Sequence, residues 1–299
     1  MENLKMNNIN ANARFISSYL GTKRKYGDKI AEVIKSCGEK TLYDVFGGSG
    51  SLTCQLAPYF DRLVYNEKNI FIATFIELAY SHFKDGTFDD WFDSSVKAWY
   101  IGSKERYFEI RERFNNQLDD FDQRCMQFFW LDHTCTSSLI RWNGHKIPGN
   151  PWYFNQAYNG KVVNADNIKE TLKNGLACIN NKEFEIHPDD YEDLAIEQGL
   201  LMVDPPYDNT YSDYLPENWD SERFVKWLIE KSKTNPVCLF GSTKVDDFSD
   251  TKNLKPFYDL GWKVLVLSEK AFKGVSPHGV SHEKAQDRST QKDVMLYNF

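Results

Sequence analysis

Residues 41–83 alternate twice between a short apolar run and a helical stretch, and that rhythm leaves few folds open. Residues 41–46, TLYDVF, read as a strand ending in a Gly/Ser turn, and residues 51–59 as a short helix. Residues 62–66, RLVYN, read as a second strand. Residues 70–83 then place apolar side chains at helical spacing over a length suited to a packed helix. A β–α–β–α unit of this kind favours a parallel sheet.

Residues 83–161 break the rhythm. Helical patterns over residues 95–118 and 121–133 give way to a Gly/Asn/Pro-rich loop, RWNGHKIPGNPWYF. Strand-like segments return at residues 183–187, 200–203, 237–240 and 262–267, with a helical stretch at 221–233 and a closing strand, DVMLYNF, at 293–299. The expected fold is α/β: a doubly wound, Rossmann-like sheet built from residues 1–82 and 162–299, carrying a mostly helical insertion at 83–161. Neither an internal repeat nor a low-complexity segment is evident.

Composition narrows the function. No apolar run approaches the roughly 20 residues needed to span a bilayer, and the N-terminus, MENLKMNNIN, lacks a signal-peptide core. A soluble, cytoplasmic protein with no membrane partner is expected. The six cysteines are irregularly spaced, which argues against a disulfide framework or a zinc site. Cys125, His133 and Cys135 are the imaginable ligands, but no metal is expected. The formal charge of −7 speaks against phosphate binding unless a basic cleft is segregated on an acidic body. The chain is rich in aromatics, with 21 Phe, 16 Tyr and 8 Trp, enough to supply stacking surfaces as well as a core.

Two motifs carry chemistry. The first, Asp44 to Gly50 (DVFGGSG), lies where a strand meets a helix, and glycines there allow close backbone approach to a ligand. It lacks the GxGxxG of a dinucleotide fold and the GKS/GKT of a phosphate loop, so a nicotinamide oxidoreductase is disfavoured. An ordinary Gly-rich turn is the plainer reading. The second, Asp204-Pro205-Pro206-Tyr207, follows the apolar run LLMV. Two prolines fix two φ angles and hold Asp204 extended. The loop offers a carboxylate, peptide carbonyls and an aromatic ring. That set suits a planar exocyclic amine, whose lone pair is delocalised. Two acceptors gripping its hydrogens, the Asp204 carboxylate and the Pro205 carbonyl, would draw it toward tetrahedral geometry, and Tyr207 can stack on the base.

These motifs in this order resemble the Dam-type (D12 class) DNA adenine-N6 methyltransferases. The resemblance covers about residues 15–299. Tyr19-Leu20-Gly21-Thr22-Lys23 looks like the family's N-terminal Tyr-x-Gly-x-Lys segment, which helps hold S-adenosylmethionine (SAM). Glu67 is similar to the acid that binds the SAM ribose, and Asp190-Tyr191 to the pair whose Asp contacts the SAM adenine. Ser138 to Gly144, SLIRWNG, looks like a segment of the target-recognition domain. The resemblance implies a Rossmann-like methyltransferase sheet with SAM as cofactor and S-adenosylhomocysteine as product. Tyr19, Lys23, Asp44, Phe46, Gly47, Gly48, Gly50, Glu67, Asp190, Tyr191 and Asp204 would hold the cofactor. Asp204, Pro205, Pro206 and Tyr207 would act on a base flipped out of double-stranded DNA. Arg141, Asn143, Lys146 and Arg288 would contact that DNA. A cognate restriction enzyme is an optional partner, and the chain would act as a monomer or dimer. One departure is that the usual Phe-Asn-x-Pro appears only as Gly149-Asn150-Pro151-Trp152, which leaves the recognition sequence open.

Plainer readings stand beside these. Phe46 could be core, Lys23 a solvated member of a KRK run, Glu67 a surface residue, and Arg141 and Asn143 local loop residues. Asp190 competes with Asp189, Asp193 and Asp166, although Asp166 reads better as the start of a helix. His278, His282, Lys284 and Arg288 read equally as a loop over DNA or a solvated hairpin tip. The competing functions are cytosine-N4 methylation, methylation of RNA or a protein amide, and a non-catalytic DNA-binding protein that kept the fold.

Overall fold

The computed structural model describes residues 10, 12–19, 21–138, 140–144, 146–207, 219–271 and 290–299. They fall into two compact units, one holding the described residues up to Gly199 and the other those from Leu200 on.

The first unit runs α1 (Gly27–Ile34), β1 (Thr41–Asp44), α2 (Ser51–Leu56), β2 (Arg62–Asn66), α3 (Ile70–Lys84), α4 (Phe88–Trp91), α5 (Lys104–Asn115), α6 (Phe121–Thr134), α7 (Ala165–Ile179) and β3 (Glu183–His187). Its strands lie in the order β3-β2-β1 and are parallel. Buried strands of this type read as continuous apolar runs, and Leu42, Tyr43, Leu63, Val64 and Tyr65 are all sealed from solvent. The register sets Asp44 opposite Tyr65 and Asn66 opposite His187. The C-terminal ends of the three strands therefore share one edge, and three loops leave from it: Phe46 and the glycines after β1, Glu67 after β2, Asp190 after β3.

The helical stretch expected over residues 95–118 is not one helix. After α4 the chain makes a π-helical turn at Phe92–Val96 and a 3-10 turn at Lys97–Trp99, then leaves helical geometry at Tyr100 (φ −55°, ψ 137°). Ser103 starts α5 afresh, its hydroxyl accepting the Arg106 N–H at 3.2 Å. A Ser cap just after Gly102 outweighs the continuing apolar pattern. Capping likewise defines α7: Asn164 accepts the Asn167 N–H at 2.9 Å, which places Asp166 in the first helical turn.

The helices of the 83–161 stretch pack on α3. Phe75 stacks on Phe129 with centroids 4.1 Å apart, Phe71 meets Phe114 edge-on at 4.8 Å, and Phe128 stacks on Trp142 at 5.3 Å. Their aromatic core is continuous with the helix after β2.

The second unit comprises β4 (Leu200–Val203), α8 (Ser221–Lys231), β5 (Val237–Thr243), α9 (Lys255–Asp259), β6 (Lys263–Ala271) and β7 (Thr290–Tyr297). Its strands lie in the order β4-β5-β7-β6. β4 and β5 are parallel, whereas β7 runs antiparallel to both its neighbours. The closing strand stops at Tyr297 because Asn298 turns its side chain to bond Val237 N, Ser232 O and Asn235 O at 2.7, 3.2 and 3.1 Å. The chain is thus α/β with seven strands of mixed direction. Among the described residues no helix is long and apolar enough to cross a membrane.

Candidate active site

The glycine turn after β1 is held by its own surroundings. Gly47 N–H donates to the Asn66 carbonyl at 2.7 Å, and Tyr65 hydroxyl donates to the Gly48 carbonyl at 2.7 Å. Gly48 and Gly50 have φ of +52° and +67°, a left-handed geometry that suits glycine. A Cβ at Gly47 would lie 2.1 Å from the Tyr65 ring, at Gly50 2.1 Å from Phe15, and at Gly48 2.9 Å from Tyr19. A ring of the protein thus packs against the Cα of each of these three glycines.

Glu67 is no surface residue. It is buried, and its two oxygens accept Gly48 N–H and Asn69 N–H, each at 2.8 Å. Burial pushes its carboxyl up to about 7, with the two amide bonds pulling back. Asp44 is also buried and accepts the Thr53 hydroxyl at 2.6 Å. After β3, Asp190 pairs with Lys68 at 2.8 Å, and the Tyr191 ring lies 5.6 Å from that of Phe46. Phe46 is only half-buried, so it is not simply core. Of the competing acids, Asp166 pairs with Lys97 away on α7 at 2.7 Å, and Asp189 faces His187 at 3.4 Å. Asp190 directly precedes Tyr191 in the chain.

The N-terminal segment closes on this turn. Phe15 and Ile16 N–H groups donate to the Ser49 carbonyl, and the Thr22 hydroxyl bonds Ser49 and Ser51. Lys23 is drawn in rather than solvated: it is 6% exposed, and its Nζ donates to Gly21 O at 2.8 Å. The sequence reading missed Asn66. Its amide donates to Val45 O at 3.0 Å and Asp189 O at 3.1 Å, and its oxygen accepts Asp189 N–H at 3.1 Å. One buried side chain thereby ties the loop after β1 to the loop after β3.

In the second unit the Asp204–Tyr207 loop caps β4, whose four residues are fully buried. Asp204, Pro206 and Tyr207 are half-buried, while Pro205 is buried. The Tyr207 hydroxyl donates to Asp204 Oδ1 at 3.1 Å. Asn253, also missed from sequence, donates its amide to the Pro206 carbonyl at 3.0 Å and anchors the loop from behind.

Of the residues read as DNA contacts, Arg141 and Asn143 flank buried Trp142, which bridges to Phe154 in antiparallel pairing. Asn143 N–H donates to Tyr153 O and Asn155 N–H to Arg141 O, each at 2.8 Å. The alternation turns Trp142 inward, leaving Arg141 and Lys146 exposed and Asn143 half-buried. Asn115 secures the partner strand, bonding Phe154 N at 2.7 Å and Phe154 O at 3.0 Å. Arg288, with His278, His282 and Lys284, lies outside the described residues. Of the imagined metal ligands, His133 has both ring nitrogens within 2.7 Å of other partners, Phe129 O and Ser17 Oγ.

The Gly turn and three strand-end acids stand in the first unit and the DPPY loop in the second, and comparison with known proteins gives the class of the chain. The D12 class N6 adenine-specific DNA methyltransferase family matches residues 19–233. The chain belongs to that family and is an adenine-specific DNA methyltransferase. It is 20% identical over 205 residues to type II methyltransferase M.CviBI of Paramecium bursaria Chlorella virus NC1A, covering 68% of this chain and 74% of that protein. It is 28% identical over 159 residues to type II methyltransferase M.MjaIII of Methanocaldococcus jannaschii, covering 48% of this chain and 52% of that one. The family decides for adenine over cytosine, and for an enzyme over a binding module.

Proposed function

We propose that the chain transfers the methyl group of SAM directly to N6 of an adenine flipped out of double-stranded DNA, releasing S-adenosylhomocysteine. The observation that carries this is the Asp204–Tyr207 loop, in which a ring, a carboxylate and two prolines are locked together by the Tyr207–Asp204 bond.

The residues after β1, β2 and β3 fit the cofactor. Two strand spacings, about 10 Å, separate the ends of β1 and β3, a span suited to an adenosine. Phe46 and Tyr191 offer apolar faces to its base, and Asp190 a carboxylate to its amine. Glu67 can accept from ribose hydroxyls, while Tyr19 and Lys23 close the other side. When bound, SAM supplies a methyl already activated as a sulfonium. The protein's own task is then positioning. The Asp204 carboxylate and Pro205 carbonyl accept the two N6 hydrogens and free the lone pair from the ring. Tyr207 holds the base face-on, and the proton that the amine sheds has Asp204 beside it.

Residues 83–161 act as the target-recognition part, with Arg141, Asn143 and Lys146 as its DNA contacts; Arg288, a further proposed contact, lies outside the described residues. The two relatives named as type II methyltransferases favour a modification enzyme with a cognate restriction enzyme. Incubation with labelled SAM and unmethylated genomic DNA, then sequencing for modified bases, tests the proposal. N6-methyladenine at a recurring site supports it, and absence of SAM binding by calorimetry defeats it.

A further inference from the structure

Side chains tie the segment that leads to Tyr19 to the stretch that carries Arg141 and Asn143. Ser17 and Ser18 directly precede Tyr19, whose ring lies against Gly48. His133 ends α6, and Ser138 opens the recognition stretch. His133 Nδ1 lies 2.7 Å from the Phe129 carbonyl, which can only accept, so Nδ1 carries the proton and Nε2 a lone pair. Nε2, 2.7 Å from Ser17 Oγ, therefore accepts that hydroxyl. Burial holds the imidazole well below its ordinary range, at about 4, which keeps it neutral. Arg14 Nε donates to the Ser17 carbonyl at 3.1 Å, so the residue is gripped from both sides. The Ser18 and Ser138 hydroxyls bond each other directly. Ser137 and Ser138 have φ of 62° and 48°. Residues with a Cβ keep that geometry only where their surroundings over-determine it.

We propose that His133 and Ser138 are positioning residues for the cofactor site: through Ser17 and Ser18 they hold the segment that carries Tyr19, so the recognition stretch and the cofactor segment set each other's geometry. This inference rests on the function proposed above. Any resulting coupling is reciprocal, since a cofactor that favours one arrangement of the recognition stretch is itself favoured by DNA that selects it.

The test uses the full chain with Ser17→Ala, Ser18→Ala and Ser17→Thr, reading KM for SAM, kcat, melting temperature and the profile of methylated sites on unmethylated genomic DNA. Losing one such hydrogen bond should raise KM for SAM about 3–10-fold. Each Ala variant should also relax the site profile, with kcat at saturating SAM little changed. Ser17→Thr keeps the hydroxyl and should restore both readings. Ser18→Ala covers the case in which Ser17→Ala, by stranding His133 Nε2, fails to fold. A merely structural role would instead lower melting temperature and kcat with KM and site profile unchanged, and that result overturns the inference. A wild-type protein that neither binds SAM nor methylates adenine overturns the underlying function instead.

Discussion

The hydroxyl of Tyr207 donates to Asp204 Oδ1 at 3.1 Å, so the ring and the carboxylate of this loop are joined as one unit. From sequence alone the ring was the whole of Tyr207's role. The bond adds a second role, orienting Asp204. A hydrogen bond to a charged group contributes about 1.5–3 kcal/mol. Tyr207→Phe should therefore lower kcat by roughly 10–100-fold with the SAM dissociation constant unchanged. Tyr207→Ala should lose a further 1–3 kcal/mol or so of base stacking. Fluorescence of 2-aminopurine at the target position should report flipping for wild type and Phe, with a weaker signal for Ala. A Phe variant at the wild-type rate would remove the hydroxyl from the account.

Glu67 should make stability, and SAM binding if the proposed role holds, depend on pH. Its carboxyl is raised from 4.5 to about 7 by burial. Below pH 4.5 it is protonated in both folded and unfolded chains. Between 4.5 and 7 the unfolded chain ionises first, so stability of the cofactor-free protein falls as pH rises, by up to about 3 kcal/mol. The melting-temperature advantage of wild type over Glu67→Gln should shrink from pH 5 to pH 8. Ribose hydroxyls favour the ionised form, so SAM should bind more tightly as pH approaches 7 and release protons on binding. Calorimetry in buffers of different ionisation enthalpy measures that release. A pH-independent difference between wild type and Glu67→Gln would show that the carboxyl is already ionised.

Asn66 should matter out of proportion to its size. Asn66→Asp cannot donate to the Val45 and Asp189 carbonyls, which would be left unsatisfied at about 1–3 kcal/mol each. Both strand-end loops should loosen together. SAM affinity should fall at least about tenfold by calorimetry, with a lowered melting temperature. Wild-type affinity in this variant would show that the clamp does not set the pocket.

Arg141→Ala and Asn143→Ala should alter DNA selection and leave SAM binding intact. A lost base-edge contact relaxes one position by about 1–3 kcal/mol, whereas a lost phosphate contact weakens all sequences and shallows the salt dependence. Sequencing of methylated sites separates the two. Trp142→Ala should instead destabilise the protein by about 3–5 kcal/mol, because its ring is packed among Phe128, Trp152 and Phe154.

Much of the fold was legible because the signals were local. β2, β3 and β4 fall where strand-like runs placed them: β2 and β4 are buried apolar runs, and β3 alternates apolar and polar residues as a half-buried edge strand. The break before α5 was not, because a cap at Ser103 competes with an apolar pattern that runs straight through it. At the site, motif order pointed to Glu67, Asp190 and Asp204. It could not show that Glu67 is buried against two amides, or that rings fill the glycine faces, since both depend on contacts distant in sequence. Asn66, Asn115 and Asn253 were invisible for the same reason: each acts by bonding the backbone of a remote loop.

The central claim is that the Asp204–Tyr207 loop grips an adenine amine for methyl transfer from SAM. The most direct measurement compares wild type and Asp204→Ala for N6-methyladenine formed on unmethylated DNA, with SAM affinity and melting temperature measured alongside. Removing one preorganised contact of this kind typically costs about 10²–10³ in rate, and more where it also orients the nucleophile. Wild type should methylate adenine at a recurring site, while Asp204→Ala stays folded and loses turnover by at least that factor. Near-wild-type turnover in the alanine variant would contradict the account.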